Sequence, residues 1–92
     1  MDAQAYYPTE HAAKYIRQLA SHFAHKIDVI ETADGAAFAL DTTRIRLVAE
    51  PQGLRAVIEG DSPARLVEAR HVIDKHLVNY AFREGFIGMN WV

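Results

Sequence analysis

The segment RIRLVAEPQGLRAVIE, residues 44–59, decides the fold because it contains two alternating apolar stretches joined by a turn. Side chains two residues apart lie on the same face of a strand, so each stretch has one apolar face. Pro51 and Gly53 mark the turn between the two stretches. Pairing across that turn sets Ala49 opposite Leu54, Leu47 opposite Ala56, and Ile45 opposite Ile58. The segment therefore predicts an antiparallel hairpin with one buried face.

Two more strands with the same period of two precede this hairpin, at residues 27–32 and 37–41. The dipeptide Asp34-Gly35 between them is a hairpin signal whose register is open. A two-residue loop pairs Phe38 with Glu31, and a three-residue loop pairs Phe38 with Ile30. The apolar match favours the three-residue loop, with Gly35 at a positive φ. The pairs expected across the next connection, Thr42-Thr43, are Phe38 with Leu47 and Leu40 with Ile45.

Helical periodicity flanks the strands on both sides. Before them, apolar residues recur every three or four positions from residue 10 to 25, with Thr9 as the expected N-cap. After them, Ser62 as N-cap and Pro63 at the first helical position begin a helix that continues to about Phe82. Gly85 ends this helix, and residues 86–91 are expected to form a short last strand.

These elements predict one domain spanning residues 1–92, of the α+β class. The expected order is α-β-β-β-β-α-β. The fold is a two-layer sandwich in which an antiparallel β meander is covered on one face by the two helices. A chain of 92 residues is too short for a second core. Four strands separate the helices, and this even number leaves open whether the helices run parallel or antiparallel.

Composition and charge exclude several classes of protein. The chain has no cysteine, which excludes disulfides, thiolate metal sites and cysteine nucleophiles. Its formal net charge is -2 and its pI is about 6.2, whereas a protein that coats nucleic acid usually has a pI above about 9. No apolar run has the length of a secretory signal or a membrane span. We therefore expect a cytoplasmic protein that binds neither nucleic acid nor membrane.

The outer face of the predicted sheet carries charged and β-branched residues. They are Arg44, Arg46, Arg55, Glu59, Val48 and Val57. Arg44 falls opposite Glu59, so a cross-strand ion pair explains these charges better than a surface on which bases stack, because no aromatic side chain shares the face. Val48 and Val57 are expected to be exposed there. An edge or this face of the sheet is therefore a candidate surface for a homodimer.

Five histidines are many for a chain of this length, and three of them share one stripe of the first helix. The stripe consists of His11, Tyr15, Gln18, His22 and His25. His22 and His25, three residues apart, can contact one metal ion from a single helix face. A third ligand would come from His76 or Glu84 on the second helix. The structural alternative is that His22 and His25 form local hydrogen bonds and close the end of the helix.

The chain contains no recognisable catalytic motif. It has no glycine-rich phosphate loop and no nucleophile elbow. His71 and Asp74 are three residues apart on the second helix, where an exposed ion pair explains them without catalysis. Arg83 and Glu84 lie where that helix ends, and a cation there complements the helix dipole. We therefore expect a domain that is not an enzyme, and the sequence assigns it no cofactor.

Several short motifs together resemble one small bacterial family. They are His22-Phe23-Ala24-His25-Lys26, Lys75-His76-Leu77, Tyr80-Ala81-Phe82-Arg83-Glu84 and Asn90-Trp91, in that order. Through them the chain resembles domain of unknown function family 2218 over nearly its whole length. Members of that family stand alone or are fused to flavin-dependent siderophore-interacting proteins, which are ferric-siderophore reductases. The resemblance implies an association with iron or siderophore handling and assigns no reaction.

The charged and imidazole side chains of these motifs define the candidate site. They are His22, His25, Lys26, His76, Arg83 and Glu84, which meet at one pole of the domain if the helices run parallel. The resemblance implies a ferric chelate or a siderophore-interacting flavoprotein as the partner. An anionic chelate would suit these side chains, because lysine and arginine bind anions and histidine ligates metals. We thus expect a binding or accessory domain. The alternative is a homodimerisation module with no small-molecule ligand.

Overall fold

The computed structural model describes residues 1–92 and shows a five-stranded antiparallel sheet with two helices. The elements are β1 (Asp2–Pro8), α1 (Ala12–Ala24), β2 (Val29–Thr32), β3 (Gly35–Leu40), β4 (Thr43–Glu50), β5 (Gly53–Glu59) and α2 (Pro63–Tyr80), followed by a 3₁₀ turn at Phe82–Glu84. The strand order across the sheet is β1-β5-β4-β3-β2. The α+β class is confirmed, as is the α-β-β-β-β-α succession from α1 to α2.

An additional strand, β1, precedes the first helix and pairs with β5 along its whole length. Its inward side chains are the small residues Ala3 and Ala5, which are buried. Residues 86–91, expected to form a strand, contribute one isolated bridge between Trp91 and Ala5. Gly88 within this segment has a positive φ of 156°, which is incompatible with a continuous strand there. The chain end thus lies along the outer edge of β1, so that this edge of the sheet is partly covered.

The hairpin of β4 and β5 has the register that its sequence predicts. Ile45 pairs with Ile58, Leu47 with Ala56, and Ala49 with Leu54. The inward residues of β5 are fully buried beneath the helices, as are Ile45 and Leu47 in the centre of β4. The register could be predicted because one face of the hairpin is buried, and a slip of one residue would move every apolar side chain to the open face.

The registers expected for the other two hairpins are wrong. Phe38 pairs with Ile45 rather than Leu47, because Thr43 belongs to β4 and the turn is Asp41-Thr42. Asp41 has a φ of 58°, a left-handed conformation that aspartate tolerates better than most residues. This change keeps Phe38 on the buried face, since it shifts the register by two residues.

In the first hairpin, Phe38 pairs with Val29, and the loop is Ala33-Asp34. Gly35 is a strand residue of β3 and does not have a positive φ. A Cβ at Gly35 would lie 1.7 Å from the carbonyl oxygen of Leu47. The close approach of β4 therefore requires glycine at this position. The expectation that Gly35 takes a positive φ in the turn is wrong.

Both helices pack on the same face of the sheet, and the buried side chains form one continuous cluster. Ser62 caps α2 as predicted, since its hydroxyl accepts a hydrogen bond from the backbone N–H of Arg65 at 3.3 Å. The N-cap of α1 is His11 instead of Thr9. Neither helix is both long and apolar enough to cross a membrane.

The two helices run antiparallel. Tyr15, early in α1, contacts Glu84 beyond the end of α2, whereas His22, late in α1, contacts His76 within α2. The sequence left this orientation open. Its consequence is that the C-terminal end of α1 and the C-terminal end of α2 lie at different ends of the helical layer.

Candidate functional site

The centre of the candidate site is a pair of histidines that joins the two helices. Nε2 of His22 on α1 lies 3.0 Å from Nε2 of His76 on α2, and the two ring centroids are 4.5 Å apart. Both residues are half-buried. The sequence singled out both residues, and the antiparallel packing of the helices brings them into contact.

A backbone carbonyl fixes the tautomer of His76. Its Nδ1 lies 2.7 Å from the carbonyl oxygen of Val72, one turn earlier in α2. A carbonyl oxygen only accepts, so Nδ1 carries the proton and Nε2 of the neutral ring is an acceptor. The hydrogen bond between the histidines is then donated by Nε2 of His22 and accepted by Nε2 of His76.

The side chain of Phe23 supports this pair from below. The Phe23 ring centroid is 5.4 Å from that of His22 and 5.1 Å from that of His76, and Phe23 also stacks on Phe38 of β3 at 4.7 Å. Phe23 and Phe38 both belong to the buried core. The position of the histidine pair is therefore set by core packing, which restricts the motion of both rings.

The surroundings of His22 favour its neutral form. Desolvation lowers the pKa of His22, and electrostatic repulsion from His76, Lys26 and His25, which disfavours a second positive charge beside them, lowers this pKa further. A neutral imidazole has a lone pair on one nitrogen, which is the form that ligates a metal or accepts a hydrogen bond. In the neutral ring of His22 this lone pair is on Nδ1, because Nε2–H donates to His76.

A shallow depression lies on the exposed face of α1 next to this pair, and it is strongly cationic. It is lined by Lys14, Arg17, Gln18, Ser21, His22, His25 and Tyr80. Two permanent cations and two imidazoles face the depression, and no carboxylate does. A surface of this kind attracts anions and repels free cations, because the summed field of the side chains is positive.

The metal ligands predicted from sequence are only partly brought together. His22 and His25 share the depression, and His76 contacts His22, whereas Glu84 contributes to another cluster. No group of three His, Cys, Asp or Glu side chains is arranged to hold a metal ion. The chain by itself therefore supplies at most two close nitrogen donors, one from each helix.

Glu84 lies near the other end of α1, where its carboxylate accepts hydrogen bonds from three hydroxyl groups. The donors are Tyr15 at 2.6 Å, Thr9 at 2.8 and 3.1 Å, and Tyr7 at 3.4 Å. Burial alone would raise the pKa of Glu84, but these hydrogen bonds outweigh it and hold the pKa below its ordinary value. The same cluster raises the pKa of Tyr15 to about 12, through burial first and then through the hydrogen bond to Glu84.

The structure does not bring the six residues of the predicted pole together at one place. Tyr15, which bonds Glu84, precedes His22 by seven residues, and this separation is about 10 Å along a helix. Arg83 is exposed and its guanidinium lies 5.7 Å from the ring of Phe82, while Lys26 is exposed beyond the end of α1. The pole required parallel helices, and the antiparallel arrangement divides it into a histidine cluster and a Glu84 cluster.

Asp74 also has a different role from the one expected. Its carboxylate accepts a hydrogen bond from the backbone N–H of Met89 at 3.1 Å and another from the indole N–H of Trp91 at 3.1 Å. Asp74 thus anchors the chain end to α2, in place of an ion pair with His71. The motif that ends at Trp91 is accounted for by this structural contact.

Sequence reasoning missed four residues of the depression: Lys14, Arg17, Ser21 and Tyr80. The signal for the first three was present, because Lys14, Arg17, Ser21 and His25 follow spacings of three and four along α1, beside Gln18 and His22. That spacing places them on one exposed face of the helix. Tyr80 could not be assigned, since its place beside α1 depends on the antiparallel packing.

Comparison with solved structures confirms the fold. The chain superimposes on the NMR structure of PA4090 from Pseudomonas aeruginosa with a TM-score of 0.83 and 23% sequence identity, covering 99% of this chain and 94% of that one. The TM-score shows that the two chains share a fold, and at this sequence identity the likeness carries no conclusion about activity. No curated protein is significantly similar to the chain in sequence. The model of the bacterial family described as "uncharacterized protein conserved in bacteria (DUF2218)" matches residues 4–92, and the chain belongs to this family.

Proposed function

We propose that the protein is a non-enzymatic binding domain that holds a small anionic ligand in the depression beside His22. The observation that carries this proposal is the lining of the depression, which contains lysine, arginine and two histidines and no carboxylate. Charge-assisted hydrogen bonds from lysine and arginine to an anion are among the stronger polar contacts in proteins. The depression is open, so it suits a ligand that is bound and released without a large conformational change.

The ligand class that fits best is an anionic metal chelate. Lys14 and Arg17 provide charge for the chelate, and His22 provides a nitrogen donor at the same surface. A ferric siderophore chelate, bound in cooperation with a siderophore-interacting flavoprotein, is the particular case that the resemblance of the sequence implies. That particular case rests on the resemblance, whereas the anionic class rests on the lining residues.

The test is a thermal melt of the protein with Fe(III), Fe(II), Zn(II), Ni(II) and ferric siderophore chelates, each against a chelator control. A ligand at 100 times its Kd stabilises the folded state by about 2.7 kcal/mol. Each kcal/mol raises the Tm by about 4–8 °C for a domain of this size. A stabilising ligand should therefore raise the Tm by about 10–20 °C.

Two double variants decide where the ligand binds. Lys14→Gln with Arg17→Gln, and His22→Ala with His25→Ala, should abolish the shift. The matched control is Arg46→Gln with Lys75→Gln, which removes the same charge from exposed positions outside the depression. A shift that persists in both depression variants, or that disappears in the control, would contradict the assignment of the site.

A second candidate function, homodimerisation, is favoured by the uncovered face of the sheet. This face has a groove whose lining includes Ile30, Ala37, Ala39, Val57, Arg44, Arg46, Asp2 and Glu59. Ile30 is 67% exposed although it lies in a strand. The groove carries charges of both signs, so two copies related by a two-fold axis can pair acidic with basic residues.

The homodimer is tested by light scattering and by the dependence of the Tm on protein concentration. A dimer predicts a Tm that rises with concentration, and Ile30→Lys should make the protein monomeric. Ile87→Lys is the matched control, because Ile87 is 92% exposed and lies outside the sheet. A wild-type protein that is monomeric at all concentrations would exclude this function.

A further inference from the structure

We infer that His22 and His76 form a clamp between the helices for the metal ion of a chelate that has two open coordination positions. The metal is a divalent ion of the kind that imidazole prefers, such as Ni²⁺, Cu²⁺ or Zn²⁺. The inference rests on the proposed function for the remaining donors, which come from the anionic chelate in the depression. It adds which two protein atoms reach the metal and what kind of chelate can be bound.

The distance between the two nitrogens is close to what such a site requires. Two imidazole nitrogens, each about 2.0–2.1 Å from a tetrahedral metal, lie about 3.3 Å apart. The Nε2 atoms of His22 and His76 are 3.0 Å apart. To become a pair of ligands, the two nitrogens move a few tenths of an ångström apart and both side chains rotate, so that each Nε2 lone pair points at the metal instead of at the other ring.

The carbonyl of Val72 orients one ligand in the way that is typical of metal sites. Histidines that bind metals usually donate the other ring N–H to a carboxylate or a backbone carbonyl, which fixes the tautomer and the direction of the lone pair. His76 already makes this contact through Nδ1 at 2.7 Å. Its Nε2 therefore needs no change of protonation to bind a metal.

Metal binding requires that the proton on Nε2 of His22 be removed. Without a metal, Nε2–H of His22 donates to His76, and no protein group is hydrogen-bonded to Nδ1 of His22. When a metal binds Nε2, that proton leaves to solvent and Nδ1 takes one up, so the ring stays neutral and no net proton is released. The nitrogen–metal bonds replace the hydrogen bond between the two rings.

The protein cannot complete the coordination alone. No third His, Cys, Asp or Glu joins the pair, so a bare ion would keep most of its water ligands and would also meet the positive field of Lys14 and Arg17. An anionic chelate removes both problems, because it supplies donors and carries negative charge. A chelate that fills every position on its metal cannot bind in this way.

The experiment compares two nickel chelates by isothermal titration calorimetry with the full-length protein. The chelate of Ni²⁺ with nitrilotriacetate is anionic and leaves two positions open, whereas the chelate with EDTA is anionic and leaves none. We expect the nitrilotriacetate complex to bind one to one, and at least tenfold more tightly than the EDTA complex. Paramagnetic broadening of the His22 and His76 ring resonances in NMR spectra gives a second readout of the contact.

Single variants identify the ligands. His22→Ala and His76→Ala should each weaken binding of the nitrilotriacetate complex at least tenfold, as should the polar replacements His22→Gln and His76→Gln, which retain more of the side-chain volume. His71→Ala, at an exposed histidine elsewhere on α2, is the control and should have less than a threefold effect. His25→Ala changes the lining of the depression and should weaken binding less than His76→Ala does. Loss of binding in His25→Ala without loss in His76→Ala would overturn the clamp in favour of a pair on one helix.

The outcomes separate the clamp from the proposed function. Equal affinity for both nickel chelates, with loss in the Lys14→Gln and Arg17→Gln double variant, overturns the clamp and supports anion binding. Histidine-dependent binding that this double variant leaves unchanged supports the clamp and contradicts the anionic site. Absence of binding by either chelate overturns both.

Discussion

Two polar clusters tie α1 to the C-terminal half of the chain, and they differ in how far their hydrogen-bonding capacity is filled. The Glu84 cluster places one carboxylate against three hydroxyl donors from β1, the loop after it and α1. The histidine cluster consists of two neutral rings that share one hydrogen bond, next to a surface with unpaired cations. The hydrogen-bond donors of the Glu84 cluster all have their acceptor within the chain, whereas the histidine cluster has a ring nitrogen, Nδ1 of His22, without a hydrogen-bond partner.

This difference shows why similar residue types take different roles at the two ends of one helix. Leaving a buried donor without an acceptor costs more free energy than a completed hydrogen bond contributes. The effect on folding stability is therefore a sufficient reason for the Glu84 cluster. Both histidines are half-buried, and His22 lines the open depression. In the clamp that we propose, the pair exchanges its hydrogen bond for a ligand. We therefore expect changes to the Glu84 cluster to alter the stability of the protein, and changes to the histidine cluster to alter its binding.

The largest expected effect on stability is that of Glu84→Ala. Removal of the carboxylate leaves the buried hydroxyls of Tyr15 and Thr9 without their acceptor, and each loss of this kind costs about 1–3 kcal/mol. We expect the free energy of unfolding to fall by about 2–3 kcal/mol in urea denaturation. Arg83→Ala is the control, since this exposed neighbour should change the free energy by less than about 0.5 kcal/mol. Equal effects of the two variants would contradict a structural role for Glu84.

A smaller effect is expected for Tyr15→Phe, which removes one hydroxyl and keeps the packing of the ring. Hydrogen bonds to charged groups contribute about 1.5–3 kcal/mol, but the carboxylate keeps its bond to Thr9, so we expect a loss of about 1–2 kcal/mol. Tyr6→Phe is the matched control, because the Tyr6 hydroxyl has no hydrogen bond to a protein side chain. A double-mutant cycle of Tyr15→Phe with Glu84→Ala should show strong coupling, and additive effects would contradict the contact.

The Glu84 cluster should also lose stability in acid. The folded-state pKa of Glu84 is lowered, so its contribution to stability is present above the ordinary value of 4.5 and is lost as the pH falls through the folded-state pKa. We expect Glu84→Gln to have a flatter dependence of stability on pH than the wild type below pH 4.5. Chemical denaturation from pH 7 to pH 3 measures this difference, and parallel curves would exclude an ionised Glu84 as the acceptor.

The smallest expected effect is a loss of stability near pH 6.5 that depends on His22, at a higher pH than the loss that depends on Glu84. The folded-state pKa of His22 is lowered, so the unfolded chain binds more protons once the pH falls below 6.5, and the folded state loses stability there. Replacement by His22→Gln removes this loss, and the wild type should therefore decline more than the variant between pH 7.5 and pH 5.5. His71→Gln should leave the wild-type dependence unchanged. A steeper decline in His22→Gln than in the wild type would reverse the sign and contradict a neutral His22.

The accuracy of sequence reasoning followed the burial of each segment. The register of β4 and β5 was predicted because both strands have one fully buried face, and the start of α2 was predicted from Ser62 and Pro63. The strand β1 was missed, since its inward residues are alanines and give a weak apolar alternation. The turns before β3 and β4 were misplaced because Gly35 serves close packing and Asp41 takes the left-handed conformation instead.

The candidate site shows the same division. Local spacing was sufficient to select His22 and His76, and it also contained the unused signal of Lys14 and Arg17 on the same helix face. It could not show that Glu84 belongs elsewhere, because that placement depends on the direction in which α2 crosses α1. Contacts between residues distant in sequence are set by packing of the helices and are not encoded in any short motif.

The sequence by itself determined the α+β class, the helices, the central hairpin and the set of histidines and charged residues from which a site could be built. These features depend on periodicity, capping and turn residues, which act over a few positions of the chain. Only the tertiary structure decided that the helices are antiparallel, that His22 meets His76, and that Glu84 is satisfied by Tyr15 and Thr9. The physical reason is that burial of the two apolar helix stripes on one sheet face fixes the helix direction, and this direction in turn selects which polar side chains become neighbours.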